Sequence, residues 1–288
     1  MPTADDRATD VDAARAASTA NPASPLSARR AGPRAFFALF GAGVVGVVAA
    51  VPVIVPLIED VLAGLPEVPE MPFAGVVALA LVNPLLLLAV ATLVGVLVAP
   101  RIGVRSGIAE RAAGARLGWG QILRWWPLAV LVGSGVGIAF VVLDTLSQPL
   151  LGPAAGDLAL LDGRTLSVTV AGIFYGGITE EIMLRWGLMA LLAWGAWRVA
   201  GRGSPRPSPA LMWGAIVVSA VVFGLLHLPA VGAITDITLP VIVRTVVLNA
   251  LGGVVFGWLF WRRNLETAML AHAMAHVAMT VIAVALGG

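Results

Sequence analysis

Seven stretches of continuous apolar sequence, about 35–58, 73–99, 125–147, 166–197, 210–230, 238–261 and 265–286, leave this chain few ways to fold. Each is near or above the length that crosses roughly 30 Å of hydrocarbon as a helix. Within lipid every backbone N–H and C=O must be satisfied inside the segment or in a closed barrel. The runs are continuous and do not alternate, so the fold class is all-α, a polytopic transmembrane bundle of about seven spans, or eight if one segment divides. Composition agrees: 59% of residues are hydrophobic and 12% charged, about half the charged fraction of a soluble domain.

The loops sort by charge. Arg29, Arg30 and Arg34 precede the first span, and Glu59, Asp60, Glu67 and Glu70 follow it. Arg101, Arg105, Arg111, Arg116 and Arg124 come next, then Asp144, Asp157 and Asp162 against a single Arg164. Arg198, Arg202 and Arg206 are followed by Asp236, and then by Arg262 and Arg263. This alternation predicts an integral, multi-pass membrane protein with a cytoplasmic N-terminus, seven crossings and an outside C-terminus. An eighth helix would flip one end.

Three regions are expected: a disordered tail over 1–33, N-terminal transmembrane helices with a basic loop over 34–165, and a core over 166–288. The tail is polar, Ala/Pro/Ser-rich and without apolar period, and its early aspartates do not suit a signal peptide. The basic segment "RIGVRSGIAERAAGARLGWGQILRWW" either lies along the interface or is a solvated loop. Gly133 and Gly137, like Gly253 and Gly257, are spaced for close helix packing.

The chain has no cysteine, which excludes disulfides and thiolate chemistry. All 18 basic side chains are arginine, a bias of composition rather than a nucleic-acid signal. No nucleic-acid partner is expected.

Chemistry concentrates in "GGITEEIMLRWGLM", where Glu180, Glu181 and Arg185 interrupt a greasy run. A charge at mid-bilayer costs about 2.5–3.5 kcal/mol on insertion scales, so these groups are expected to face the bundle interior. Glu181 and Arg185, four apart, share a helix face and can pair. An internal ion pair explains those two but not a second carboxyl beside them. The three histidines of the chain, His227, His272 and His276, all fall in apolar spans, the last two at i and i+4. A carboxylate beside imidazoles is equipment for activating water: one takes a proton, the others polarise a carbonyl, hold an oxyanion or ligate Zn²⁺. No Gly-x-Ser-x-Gly and no His-Glu-x-x-His stretch is present.

The pattern Glu180-Glu181-x-x-x-Arg185, Phe223-x-x-x-His227 and His272-x-x-x-His276, over about 166–286, resembles the CPBP intramembrane proteases, the CAAX prenyl protease type II and bacteriocin-processing (Abi) family. The resemblance implies an intramembrane endopeptidase acting on membrane-associated or lipid-anchored peptides. It implies Glu180 as general base helped by His227, Glu181 in support and Arg185 holding the carboxylates. His272 and the residue four on would stabilise the oxyanion, and Phe223 would pack beside the site. The family has Asn or Asp where this chain has His276. That departure leaves an oxyanion role open, makes a zinc site of His227, His272 and His276 conceivable, and equally suits a member without activity. Metal and metal-free routes both stay open. The competing readings are a proton- or ion-coupled transporter, and a non-catalytic immunity or scaffold protein on the same fold.

Overall fold

A computed structural model of the chain describes residues 25–65, 71–201 and 203–287, with side chains described from residue 31. All regular structure among the described residues is helical. The long elements are α1 (Pro25–Ala63), α2 (Phe73–Ile102), α5 (Trp126–Leu151), α8 (Pro209–Leu226), α10 (Leu239–Arg262) and α11 (Leu265–Ala285). Short helices α3 (Gly107–Ala112) and α4 (Trp119–Ile122) lie between α2 and α5, α6 (Ala154–Leu158) follows α5, and α9 (Leu228–Gly232) follows α8. Among the described residues six helices are long and apolar enough to cross a membrane.

The remaining expected crossing is a continuous helical run, α7, over 166–200. It begins as α-helix (Leu166–Ala171), continues as two wide windings with i→i+5 hydrogen bonds (Gly172–Glu180 and Ile182–Met189), and closes as α-helix (Ala190–Ala200). Such windings are rare and concentrate at functional sites. An α-helix of that length would measure about 52 Å. The run is unbroken and longer than the roughly 30 Å hydrocarbon core, so part of it extends beyond a single crossing.

The charge-sorted loops gather at opposite ends. At the basic end Arg206 lies against Gly103, the Leu265 N–H donates to the Arg105 carbonyl, and the Asn264 amide donates to the Ile122 carbonyl. The expected basic loop is thus folded, with α3 and α4 seated over the start of α11. Glu266, 3% exposed, locks the contact by accepting from Ser106 Oγ (2.7 Å) and from the Ile108 and Gly107 N–H groups (2.9 and 3.1 Å). The tail expected over 1–33 lies outside the described residues as far as residue 24, and from Pro25 the chain is helical.

Large apolar side chains such as Leu79, Leu86, Leu131, Leu146 and Val281 cover the outside of the bundle, the inverse of a soluble surface and suited to lipid. Inside, small residues let helices touch backbone to backbone. A methyl on Gly137 would meet the Ala275 carbonyl oxygen at 2.5 Å, and one on Gly133 would lie 2.9 Å from the Ala271 Cα. Gly253 faces Ala220 and Gly257 faces Ile216. Both glycine pairs are packing seams, α5 on α11 and α10 on α8.

Asp144 corrects the loop assignment. It is not in a loop but inside α5, 4% exposed, where it accepts from Arg244 Nε on α10 (2.9 Å) and from the Leu160 N–H (2.8 Å). Arg244 also donates to the Leu158 carbonyl. The pair ties α5, α10 and the α6 turn together near the acidic end.

Candidate active site

Three helices bring the sequence-predicted groups together, and each motif spacing has a local reason. On α7, Glu181 and Arg185 sit one turn apart, 0% and 2% exposed, with Arg185 Nη1 3.1 Å from Glu181 Oε1. The approach is close but not aligned as a hydrogen bond: both Nη atoms of Arg185 and Oε2 of Glu181 are buried without partners. The guanidinium instead lies over the rings of Phe223 (5.1 Å) and Phe256 (5.7 Å), which spread its charge by cation–π contact.

His227 closes α8 where Pro229 interrupts the backbone ladder. Its Nδ1–H donates to the carbonyl of Phe223, four residues earlier (2.9 Å), and the Phe223 ring meets the imidazole edge-on at 4.7 Å. Phe223 therefore packs beside the site, as expected, and its carbonyl aims the histidine. With Nδ1 so engaged, His227 Nε2 is the ring nitrogen left toward Glu180, 4.0 Å from Oε1.

On α11 the His272 Nδ1–H donates to Glu181 Oε1 (2.8 Å), an acceptor held beside Arg185. Its Nε2 lies 4.0 Å from Glu180 Oε2. Phe256 stacks on His272 at 4.7 Å and 19°, and His272 stacks on His276 at 5.3 Å and 18°. This ring stack on α10 and α11 is a part of the site that motif reading passed over. The signal lay in the spacing of Phe256 to the following histidines, which has meaning only once α10 and α11 are paired.

Glu180 is the group left facing both Nε2 atoms, more open than Glu181, and the half-exposed His227 opens the cluster to one side. Gaps of 4.0 Å are too long for direct hydrogen bonds and suit a bridging water. Donors sharing one tetrahedral zinc would be roughly 3.4 Å apart. The trio His227, His272 and His276 is not brought to ligating distance, and among the described residues no group of three His, Asp or Glu side chains forms a metal cluster. His276 Nδ1 lies 3.5 Å from Arg164 Nη1.

The floor of the site is made by missing side chains. A methyl on Gly172 would stand 2.5 Å from His276 Cγ, and one on Gly176 would stand 3.0 Å from His276 Nε2 and 3.2 Å from His272 Nε2. These two glycines admit the imidazoles against the wide winding of α7. Arg164, just before α7, was visible in the sequence only as a stray cation in an acidic loop. It donates to the Leu160 carbonyl (3.2 Å) and touches Met279 Sδ (3.1 Å) and His276, and burial lowers its pKa from the ordinary arginine value.

No curated protein and no solved structure matches the chain. Residues 162–278, which hold all six predicted site residues, match the family described as type II CAAX prenyl endopeptidase, Rce1-like. Over this segment the chain is similar to the type II CAAX prenyl endopeptidases that its three motifs resemble.

Proposed function

We propose that this chain is an intramembrane endopeptidase that hydrolyses peptide bonds of membrane-associated or lipid-anchored peptides with water activated at Glu180. The observation that carries the reading is the convergence of the Glu180 carboxylate with two imidazole nitrogens, His227 Nε2 and His272 Nε2, each 4.0 Å away. A water in that gap donates to one imidazole and to the carboxylate. Glu180 takes its proton as the oxygen attacks the scissile carbonyl, and returns it to the departing amine when the C–N bond breaks. Glu181 orients His272, much as a buried carboxylate orients the histidine of a hydrolytic triad. Arg185 and the two phenylalanines hold Glu181 in place. The half-buried position of Glu180, between basic and acidic ends of an apolar bundle, supports substrates that are themselves held in the bilayer.

Peptide-library cleavage by purified protein in detergent tests this. Glu180→Gln and His227→Ala should each abolish turnover while leaving thermal unfolding unchanged, and cleavage retained by either folded variant would count against the assignment. Metal analysis belongs to the same experiment. Near-stoichiometric zinc that falls in His276→Ala would support the metal route, whereas full activity in metal-free protein supports the glutamate–histidine route.

A further inference from the structure

We infer that Arg164 is a positioning residue that fixes His276 as the N–H donor of the site, a role resting on the hydrolytic reading above. The three imidazoles are not equivalent. His227 and His272 each spend the Nδ1 hydrogen on an acceptor, the Phe223 carbonyl and the Glu181 carboxylate. When neutral, both therefore present only a lone pair at Nε2. Water can use such groups, but a developing oxyanion cannot.

His276 is arranged the other way round. Its Nδ1 faces Arg164 Nη1 at 3.5 Å, and a guanidinium has hydrogens to give and no lone pair to offer. An Nδ1–H tautomer would set two donors against each other. A doubly protonated ring would set two cations against each other, with His272 stacked on the far face. The remaining form carries its hydrogen on Nε2. That atom faces the Gly176 notch, as does His272 Nε2, one turn before Glu180.

Arg164 can hold this arrangement because it is itself anchored, by the Leu160 carbonyl at 3.2 Å and Met279 Sδ at 3.1 Å. Among the described residues no carboxylate stands within ion-pair distance of it. Its charge is therefore directed at His276 rather than quenched by an acid. The histidine so fixed gives a single N–H to the pocket, as a side-chain amide would at this position, where the family has Asn or Asp. Arg164 and His276 thus act as one unit in place of one residue.

The test joins a spectroscopic and a kinetic measurement on the full chain in detergent. With ¹⁵N-labelled histidine, the His276 ring should show the Nε2–H tautomer in the parent protein and in Arg164→Lys. It should relax to a mixture in Arg164→Gln. Cleavage by Arg164→Gln should fall about 10-fold to 100-fold in kcat with KM little changed, short of the 10²–10³-fold typical of deleting an oxyanion donor outright. Arg164→Lys should recover much of the loss. In a His276→Asn background the Arg164→Gln penalty should shrink to less than about twofold. An unchanged His276 tautomer in folded Arg164→Gln overturns the assignment, and so does a kinetic penalty that persists undiminished in the His276→Asn background. If the tautomer shifts but no variant, parent included, cleaves any peptide, proteolysis fails and the Arg164–His276 geometry stands.

Discussion

Replacing Gly172 with alanine separates a catalytic imidazole from a decorative one. The new methyl would sit 2.5 Å from His276 Cγ and 2.8 Å from Cε1, where non-bonded carbons settle at about 3.5–4.0 Å. The ring must therefore retreat by about 1 Å. Behind it stand His272, stacked at 5.3 Å, and Arg164 at 3.5 Å, so it cannot move without disturbing one of them. Overpacking of this kind costs about 1–3 kcal/mol of stability, which a seven-helix bundle survives. A misplacement of about 1 Å costs about 100-fold in rate. Gly195→Ala is the control: a methyl there meets nothing within 4 Å, and helix propensity favours it by up to about 1 kcal/mol. Initial rates on a fluorogenic peptide, with thermal unfolding measured in the same detergent, decide the matter. A folded Gly172→Ala protein cleaving at the parent rate would refute the claim that His276 must occupy its present position.

Three further outcomes follow from the same contacts. Glu181→Gln leaves His272 without its carboxylate and should lower kcat at least about 100-fold, loss of the carboxylate in a hydrolytic triad reaching about 10⁴-fold; a change below tenfold would mean that His272 is oriented by its ring stack alone. Asp144→Ala strands Arg244 inside the bundle and should cost about 3–5 kcal/mol, read as a lowered unfolding temperature, whereas Asp144→Ala combined with Arg244→Met should recover most of it. Gly137→Leu, driven into the Ala275 carbonyl, should part α5 from α11 and abolish folding, while the neighbouring Gly135→Leu, with open space around it, should fold normally.

Spans were legible because hydrocarbon imposes one simple demand on every segment, and the expected and observed boundaries differ by a few residues at most positions. The acid–histidine cluster was legible for the related reason that titratable groups in apolar runs need company. Sequence reading failed where the company was far away along the chain. Arg244 went unremarked in its span because its partner, Asp144, lies 100 positions earlier and was assigned to a loop. Glu266 drew no reading because its partner Ser106 lies 160 positions earlier. Gly172 and Gly176 carried no visible signal, since a notch exists only relative to what fills it.

The Glu266 clasp has a consequence for how the protein would be handled by its surroundings. The final helix bears two of the three imidazoles, and its first turn is moored to the segment just after α2 by one carboxylate. Pulling on that segment, whether by a neighbouring protein or by a shift in bilayer thickness, would be felt less than two helical turns later at His272. A tether meant for folding thereby doubles as a lever, with its handle at the water's edge and its fulcrum beside the acid–histidine cluster.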